Sequence, residues 1–375
     1  MNKVEVKISE MLFFQEGPGV RNTQYTSSGV KLLNVANLVD GKVDLSTSDR
    51  YISEDEAYGK YRHFLCDEGD FIVASSGIKV DYIDKKMGFI SKEMLPLCMN
   101  TSTIRFKVLD DSKLNIRYFM YFLKSTAFKK QLAKQITGSA QLNYGPSHLK
   151  QMTFPLIDIE TQNDLVRKLD NIVRIIDKKN ACLKKYDELV KARFVEMFGD
   201  VYKSSKYTRK KWSDIVDIKN GKDYKKVAVK SGGFPVYGTG GEMARASEYL
   251  CPENTIIVGR KGTINNPLLV REKFWNVDTA FGVIPGKELH YLYFFWFCRM
   301  FDFSRLNKQA VLPSTTKADL LNIEMQVPPI EIQKQFADFV SQVDKSKFAL
   351  SNELTMCNFY IRLIHDRVMH GRINL

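Results

Sequence analysis

The sequence predicts an α+β fold made of two mixed α/β modules, each followed by one long helix. Three observations carry this. A segment in the first half of the chain recurs without a gap in the second, each copy continues into apolar residues at coiled-coil spacing, and short β-rich runs bounded by turn residues precede each copy. The segment LKQMTFPLIDIETQNDLVRKLDNIV from Leu149 matches LLNIEMQVPPIEIQKQFADFVSQVD from Leu320 at a constant offset of 171. Met152 then faces Ile323, Glu160 faces Glu331, Gln162 faces Gln333 and Leu169 faces Val340. A repeat of such length means two copies of one plan.

Taken in chain order, the first module opens on ISEMLFFQEG from Ile8, which matches WSDIVDIKNG from Trp212 and sets Gly17 opposite Gly221. The runs DFIVASS from Asp70 and STIRFKV from Ser102 alternate with turns, as twisted antiparallel strands do. NIRYFMYFLKS then reads as a buried helix whose aromatics belong to the core. Pro155 bars helix at the junction. Beyond it Leu165, Leu169, Ile172, Ile176, Lys179, Leu183, Tyr186 and Val190 fall at alternating steps of four and three, the seam of a coiled coil. The second copy repeats the order with TIIVGRKG from Thr255, FGVIPG from Phe281, the buried helix HYLYFFWFCRM, and Pro328 and Pro329. Its seam runs through Phe336, Phe339, Val343, Ser346, Leu350, Glu353, Cys357, Tyr360 and Ile364. The polar members Lys179, Ser346 and Glu353 argue for amphipathic helices more than for a long dimeric coiled coil.

Each helical run has about 38 residues, or roughly 57 Å at 1.5 Å per residue. Equal length predicts that the two pack on each other, through Leu165, Leu169, Ile172, Ile176 and Leu183 of the first and Phe336, Val340, Val343 and Leu350 of the second. The expected divisions are residues 1–155 for the first module, 156–200 for its helix, 201–325 for the second module and 326–375 for its helix. Between the matched anchors lie 141 residues in the first copy and 108 in the second, so the middles have diverged.

Charge sharpens the division. The chain of 375 residues carries 56 Lys+Arg and 43 Asp+Glu, a net +13. Residues 1–155 hold 21 basic and 17 acidic, residues 200–325 hold 20 and 13, and the two helical stretches are near neutral. A localised excess suggests a polyanion footprint on the modules and a protein-facing role for the helices. The longest apolar run, Tyr291 to Cys298, is far short of the ~20 residues that span a bilayer, and the charged N-terminus is unlike a secretory signal. Cys66, Cys98, Cys182, Cys251, Cys298 and Cys357 lie far apart with no CxxC, which predicts reduced, mostly buried thiols in a cytosol and no metal site.

Catalytic signatures are missing: HExxH, GxSxG and the Walker GxxxxGK[ST] do not occur, and His63, His148, His290, His365 and His370 have no ligand spacing. VYGTGG, from Val236, lacks the strand, helix and acidic residue of a dinucleotide loop. What remains is a set of loops rich in glycine, amides, hydroxyls and cations, the groups that read base edges and hold phosphates. In the first module these supply Arg21, Asn22 and Gln24; Ser75, Ser76 and Lys79; and Ser139, Gln141, Asn143 and Tyr144. In the second they supply Lys222, Tyr224, Lys225 and Lys226; Tyr237 and Thr239; Arg260, Lys261 and Asn265; and Asn307, Gln309, Ser314 and Thr315. GRKG is the sharpest, because its glycines permit close backbone approach while two cations project from a strand end. A solvated turn competes at any single position; the sets, in corresponding places of two basic modules, favour double-stranded DNA.

On FPLIDIETQ at 154–162, MQVPPIEIQ at 325–333, the ARFVEMFGD that closes the first helix, and PVYGTGG with GRKGTI, the chain resembles the specificity subunit of type I restriction-modification enzymes over essentially its whole length. The resemblance implies two target recognition domains spaced by two antiparallel helices about a pseudo-twofold axis, in a prokaryotic cytoplasm. It implies a chain without activity or cofactor of its own. Two modification subunits would bring S-adenosylmethionine and adenine methyltransferase chemistry, and restriction subunits ATP, Mg and cleavage. Ile157 and Asp158 stand where the family shows a proline pair, which implies a looser first junction. Two competitors are a self-sufficient metal-dependent nuclease built on Asp217, Asp223 and Lys225, and a helical scaffold indifferent to DNA.

Overall fold

The structure is a computed structural model that describes residues 4–135, 143–261, 263–306 and 314–369, with side chains up to residue 364. It divides into two compact units, one of residues 1–177 with 354–375 and one of residues 178–353. Among the described residues no helix is long and apolar enough to cross a membrane.

In the first unit the strands β1 (Val4–Lys7), β2 (Leu12–Glu16), β3 (Val30–Leu33), β4 (Tyr51–Ile52), β5 (Phe71–Ala74), β6 (Met87–Phe89), β7 (Leu97–Met99) and β8 (Thr103–Val108) precede the helices α1 (Ile116–Lys124) and α2 (Thr126–Gln135). Strand β9 (Thr153–Leu156) then leads into the 40-residue helix α3 (Ile159–Phe198). The main sheet runs β2-β8-β5-β6, a second β4-β3-β7 with β3 and β7 parallel, and β1 pairs with β9. Strands β5 and β7 are buried at every position, as continuous apolar runs require. The aromatic helix fills the core as expected: Tyr118, Phe119, Tyr121 and Phe122 are buried, with Phe119 edge-on to Phe154 at 5.5 Å.

The second unit repeats this plan. Strands β10 (Arg209–Lys211), β11 (Val216–Asn220), β12 (Ala228–Val229), β13 (Phe234–Gly238), β14 (Gly241–Ala246), β15 (Thr255–Gly259), β16 (Leu268–Val270), β17 (Trp275–Asn276) and β18 (Ala280–Pro285) precede α4 (Tyr291–Met300). Strand β19 (Glu324–Gln326) and the 40-residue helix α5 (Ile330–Met369) follow. The main sheet is β11-β18-β15-β16 and the second β12-β14-β13-β17, again with one parallel pair, while β10 pairs with β19. The β2-β8-β5-β6 order thus recurs strand for strand, although the sequence between the anchors does not.

The matched glutamines explain why the repeat keeps its register. Gln162 is fully buried; its amide donates to the carbonyls of Lys113 and Ile157 at 2.8 and 2.7 Å and accepts from the Asn115 N–H at 2.9 Å. Gln333 does the same with Glu288, Pro328 and His290, each at 2.8 Å. Each glutamine therefore ties the turn ahead of the aromatic helix to the start of the long one, and a buried amide with all three bonds made is costly to replace. The first junction, which lacks the proline pair, has a side-chain cap instead. Asp158 caps α3, its carboxylate accepting from the Thr161 N–H and hydroxyl at 2.8 Å each, and the bonds from Thr161 hold that carboxyl below its ordinary value.

The long helices run antiparallel within the second unit. Phe194 meets Phe336 at 5.5 Å, Lys347 pairs with Asp187 at 2.7 Å, and Lys179 pairs with Glu353, so positions descend on one helix as they rise on the other. Lys179 and Glu353, the charged intruders of the two seams, are thus each other's partners. Phe336, Val340 and Val343 join Val190, Phe194 and Phe198 in the core of this unit, while Leu183 and Leu350 are half-buried. In the first unit Leu165 and Leu169 sink into the core of the module, with Ile361 and Ile364 packed against the same cluster, and Ile172 and Ile176 are half-buried. The seams therefore bury themselves in the modules as well as in each other.

Candidate nucleic-acid interface

A loop that presents two exposed cations to a ligand needs a backbone that stays put. In the second unit the GRKG segment leaves the end of β15, where Gly259 is held so close that a Cβ would lie 2.4 Å from the Thr263 carbonyl. The Arg260 N–H donates to the Thr279 carbonyl at 2.9 Å and its own carbonyl accepts from the Thr315 N–H at 3.0 Å. The Thr315 hydroxyl donates to the Gly259 carbonyl at 2.7 Å, and Lys261 bridges to Ser314. Both flanks are pinned, and the Arg260 and Lys261 side chains are exposed.

The turn 277–279, which bonds to this loop, shares a cleft with two further segments. NGKDYKK is clamped by Gly221, whose Cβ would lie 1.8 Å from the Val277 carbonyl, and by the Trp275 indole N–H, which donates to the Lys222 carbonyl at 2.9 Å. VYGTGG is a β-hairpin. Gly238 pairs with Gly241 across Thr239 and Gly240, and Gly241 takes φ +114°, which only glycine adopts freely. The turn 277–279 joins β17 to β18. Together Tyr224, Lys225, Thr239, Glu242, Asp278 and Thr279 line a cleft of about 610 Å³. Lys222, Lys225 and Lys226 are exposed; Tyr224 and Tyr237 are half-buried. The Tyr237 ring stands edge-on to Phe274 at 5.7 Å, and burial raises its phenol above the ordinary value.

The first unit builds the equivalent loop with the same bonds and different side chains. Ser75 donates its N–H to the Ser102 carbonyl and accepts from the Tyr144 N–H, Ser76 bridges to Asn143, and the Tyr144 hydroxyl donates to the Ala74 carbonyl at 3.1 Å. Ser75 thus occupies the place of Arg260, Ser76 that of Lys261, Asn143 that of Ser314, Tyr144 that of Thr315 and Ser102 that of Thr279.

The predicted residues sort by what holds them. Ser75, Tyr144 and Thr315 are buried, and their hydroxyls bond to the scaffold, to Glu16, the Ala74 carbonyl and the Gly259 carbonyl. Burial drives the Tyr144 phenol well above its ordinary range. Gln24 is spent on Glu56 and Tyr61, at 2.6 and 3.1 Å, and on the Arg21 N–H. Asn265 is spent on Asp302 and the Phe303 N–H, at 2.7 Å each. Ser76 is half-buried, its hydroxyl bonded to that of Ser102 at 2.5 Å. Arg21, Asn22, Lys79 and Asn143 are exposed in the first unit. Ser139, Gln141, Asn307 and Gln309 lie outside the described residues. Sequence reasoning missed the turns at 100–102 and 277–279, which contact both equivalent loops. The positive φ of Ser102, +69°, marks the first as a fixed turn, but nothing in the residue types announces it.

Asp217, offered for a metal-dependent nuclease, pairs with Lys219 at 2.8 Å, and that bond lowers its carboxyl below the ordinary value. Asp223 accepts from the Lys225 N–H at 3.0 Å. Among the described residues no three His, Cys, Asp or Glu gather as a metal would need.

A family model described as the Type I restriction modification DNA specificity domain matches residues 8–185 and again residues 204–356. The chain belongs to that family. Within the type I specificity family, the specificity subunit of the type I restriction enzyme MjaVIII of Methanocaldococcus jannaschii is 26% identical over 192 residues, which are 50% of this chain and 43% of that relative. The match therefore spans less than half of the relative's length. The S subunit of a type I restriction-modification system from M. genitalium superposes with a TM-score of 0.57 at 15% identity, over 98% of this chain and 96% of that one. A chain from a type I R-M system solved for its complex assembly and conformational transition gives 0.58 at 14%, over 99% and 98%. At such identities the likeness is one of fold.

Proposed function

We propose that this chain is the DNA-reading subunit of a type I restriction-modification complex and recognises a bipartite, asymmetric site, one element per module. Residues 1–155 and 201–325 act as the two target recognition domains, and 156–200 and 326–375 as the helices that dock two modification subunits and, where present, restriction subunits. The chain supplies no chemistry of its own; S-adenosylmethionine, ATP and Mg belong to the partners, and the assembly works in a prokaryotic cytoplasm. The observation that carries this reading is the pair of equivalent loops. Identical backbone bonds hold Ser75 and Ser76 in one module and Arg260 and Lys261 in the other. One architecture thus presents exposed cations in the second module and small hydroxyls bonded into the scaffold in the first, and the two modules would read different sequences. Unlike side chains on like scaffolds make the target asymmetric.

Reconstitution tests it. With its modification subunits the chain is expected to direct adenine methylation to one gapped, asymmetric sequence, and to methylate nothing alone. Methylation by the isolated chain, or methylation by the complex without sequence preference, would overturn the proposal.

A further inference from the structure

The Arg260 side chain is exposed and, among the described residues, enters no ion pair, while its backbone is fixed. Its backbone is bonded on both sides, to Thr279 and Thr315, and the guanidinium carbon stands 6.0 Å from the centroid of the Phe281 ring. Beside it lies Asp278, exposed like Arg260. The guanidinium approaches the Asp278 carbonyl at 3.5 Å, yet among the described residues neither side chain enters an ion pair with the other. A cation and a carboxylate that leave neighbouring stretches of fixed backbone, exposed and unpaired with each other, suit a ligand that offers acceptors and a donor together.

A phosphate offers acceptors only, and the adjacent carboxylate repels it. The major-groove edge of a G·C pair offers what the two groups need: guanine N7 and O6 accept from one guanidinium fork, and the cytosine N4 amine donates to a carboxylate. Adenine offers one acceptor beside its amine, and leaves half of the fork unused. The equivalent positions of the first module carry Ser75, which is buried, and Thr101, so the pair is peculiar to the second.

We infer that Arg260 and Asp278 together read one G·C base pair, Arg260 on the guanine and Asp278 on the cytosine amine, within the half-site contacted by the second module. This rests on the DNA-reading role proposed above and specifies it.

The test is selection of bound duplexes from a randomised pool by the full chain complexed with its modification subunits, for the native protein and for R260A, R260K and D278N. The native complex should enrich a site with an invariant G·C at one position. R260A and D278N should relax that same position and no other, weakening cognate binding about ten- to a hundred-fold for R260A while leaving random-sequence binding within a few-fold. R260K keeps the charge and loses the fork, so it should relax the position without changing the salt dependence. Equal weakening on all sequences, relaxation at two different positions, or an invariant A·T there would overturn the inference and leave the DNA-reading role standing. A native complex that enriches no sequence would overturn both.

Discussion

Lys261 and Arg260 are neighbours on one loop, but different outcomes are expected of them. Lys261 is an exposed ammonium with no carboxylate pair among the described residues, suited to a phosphate. K261A should weaken binding equally on all duplexes and lower the slope of log affinity against log salt by about one, which a salt titration reads. Tyr144 and Thr315 behave oppositely. Y144F removes the hydroxyl bond to Ala74, which should cost about 1 kcal/mol of stability and leave the recognised sequence unchanged, as denaturant unfolding and duplex selection would show. Residue type alone suggested DNA contacts for both, because Tyr and Thr in glycine-rich loops are ordinarily exposed; their burial comes from a strand end that only the fold brings near. The thiols give a separate check. Burial lifts Cys98 and Cys251 to about 12, above the ordinary 9.0. These groups stay protonated in the folded chain while their unfolded counterparts ionise, so their contribution is present below pH ~9 and is lost as pH rises from there towards 12. Unfolding midpoints should fall over that window, and at pH 8 a thiol reagent should label exposed Cys182 long before the buried Cys66, Cys98, Cys251 and Cys298.

At the scale of elements, the long helices were legible because their period survives in sequence, and the glutamine at the head of each was visible as a register mark. What Gln162 and Gln333 do was not, since two of the three bonds of each go to a turn more than forty residues away and leave no local pattern. Removing one by Q333A strands the His290 N–H and the Glu288 and Pro328 carbonyls and should cost about 1–3 kcal/mol. Phe336, fully buried against Phe194 and Phe198 at 5.5 and 5.4 Å, should cost about 3–5 kcal/mol as F336A. Lys179 and Glu353 looked like flaws in two seams; across antiparallel helices they are one pair. Glu353 is well exposed, so reversing either charge should cost only a few tenths of a kcal/mol, and reversing both should restore the native value. A double-mutant cycle by chemical denaturation measures this.

For the whole molecule, the doubled plan was legible where selection for packing held the offset at 171, from Leu149 to Leu320, and became illegible in between. The equivalent strand ends Ala74 and Gly259 are separated by 185 residues, so no single shift aligns the loops that matter most, and only the shared bonding scheme reveals them. The side chains divide at the same place: the bonds that hold the two loops recur, while the residues they carry, Ser75 and Ser76 against Arg260 and Lys261, differ. The claim that two like scaffolds read two unlike sequence elements is tested most directly by mapping the adenines methylated by the reconstituted complex, first with the native chain and then with residues 1–155 replaced by those of a relative of different specificity. The account predicts that one half of the methylated site changes while the other half is kept letter for letter. A target altered in both halves, or unaltered in either, would contradict it.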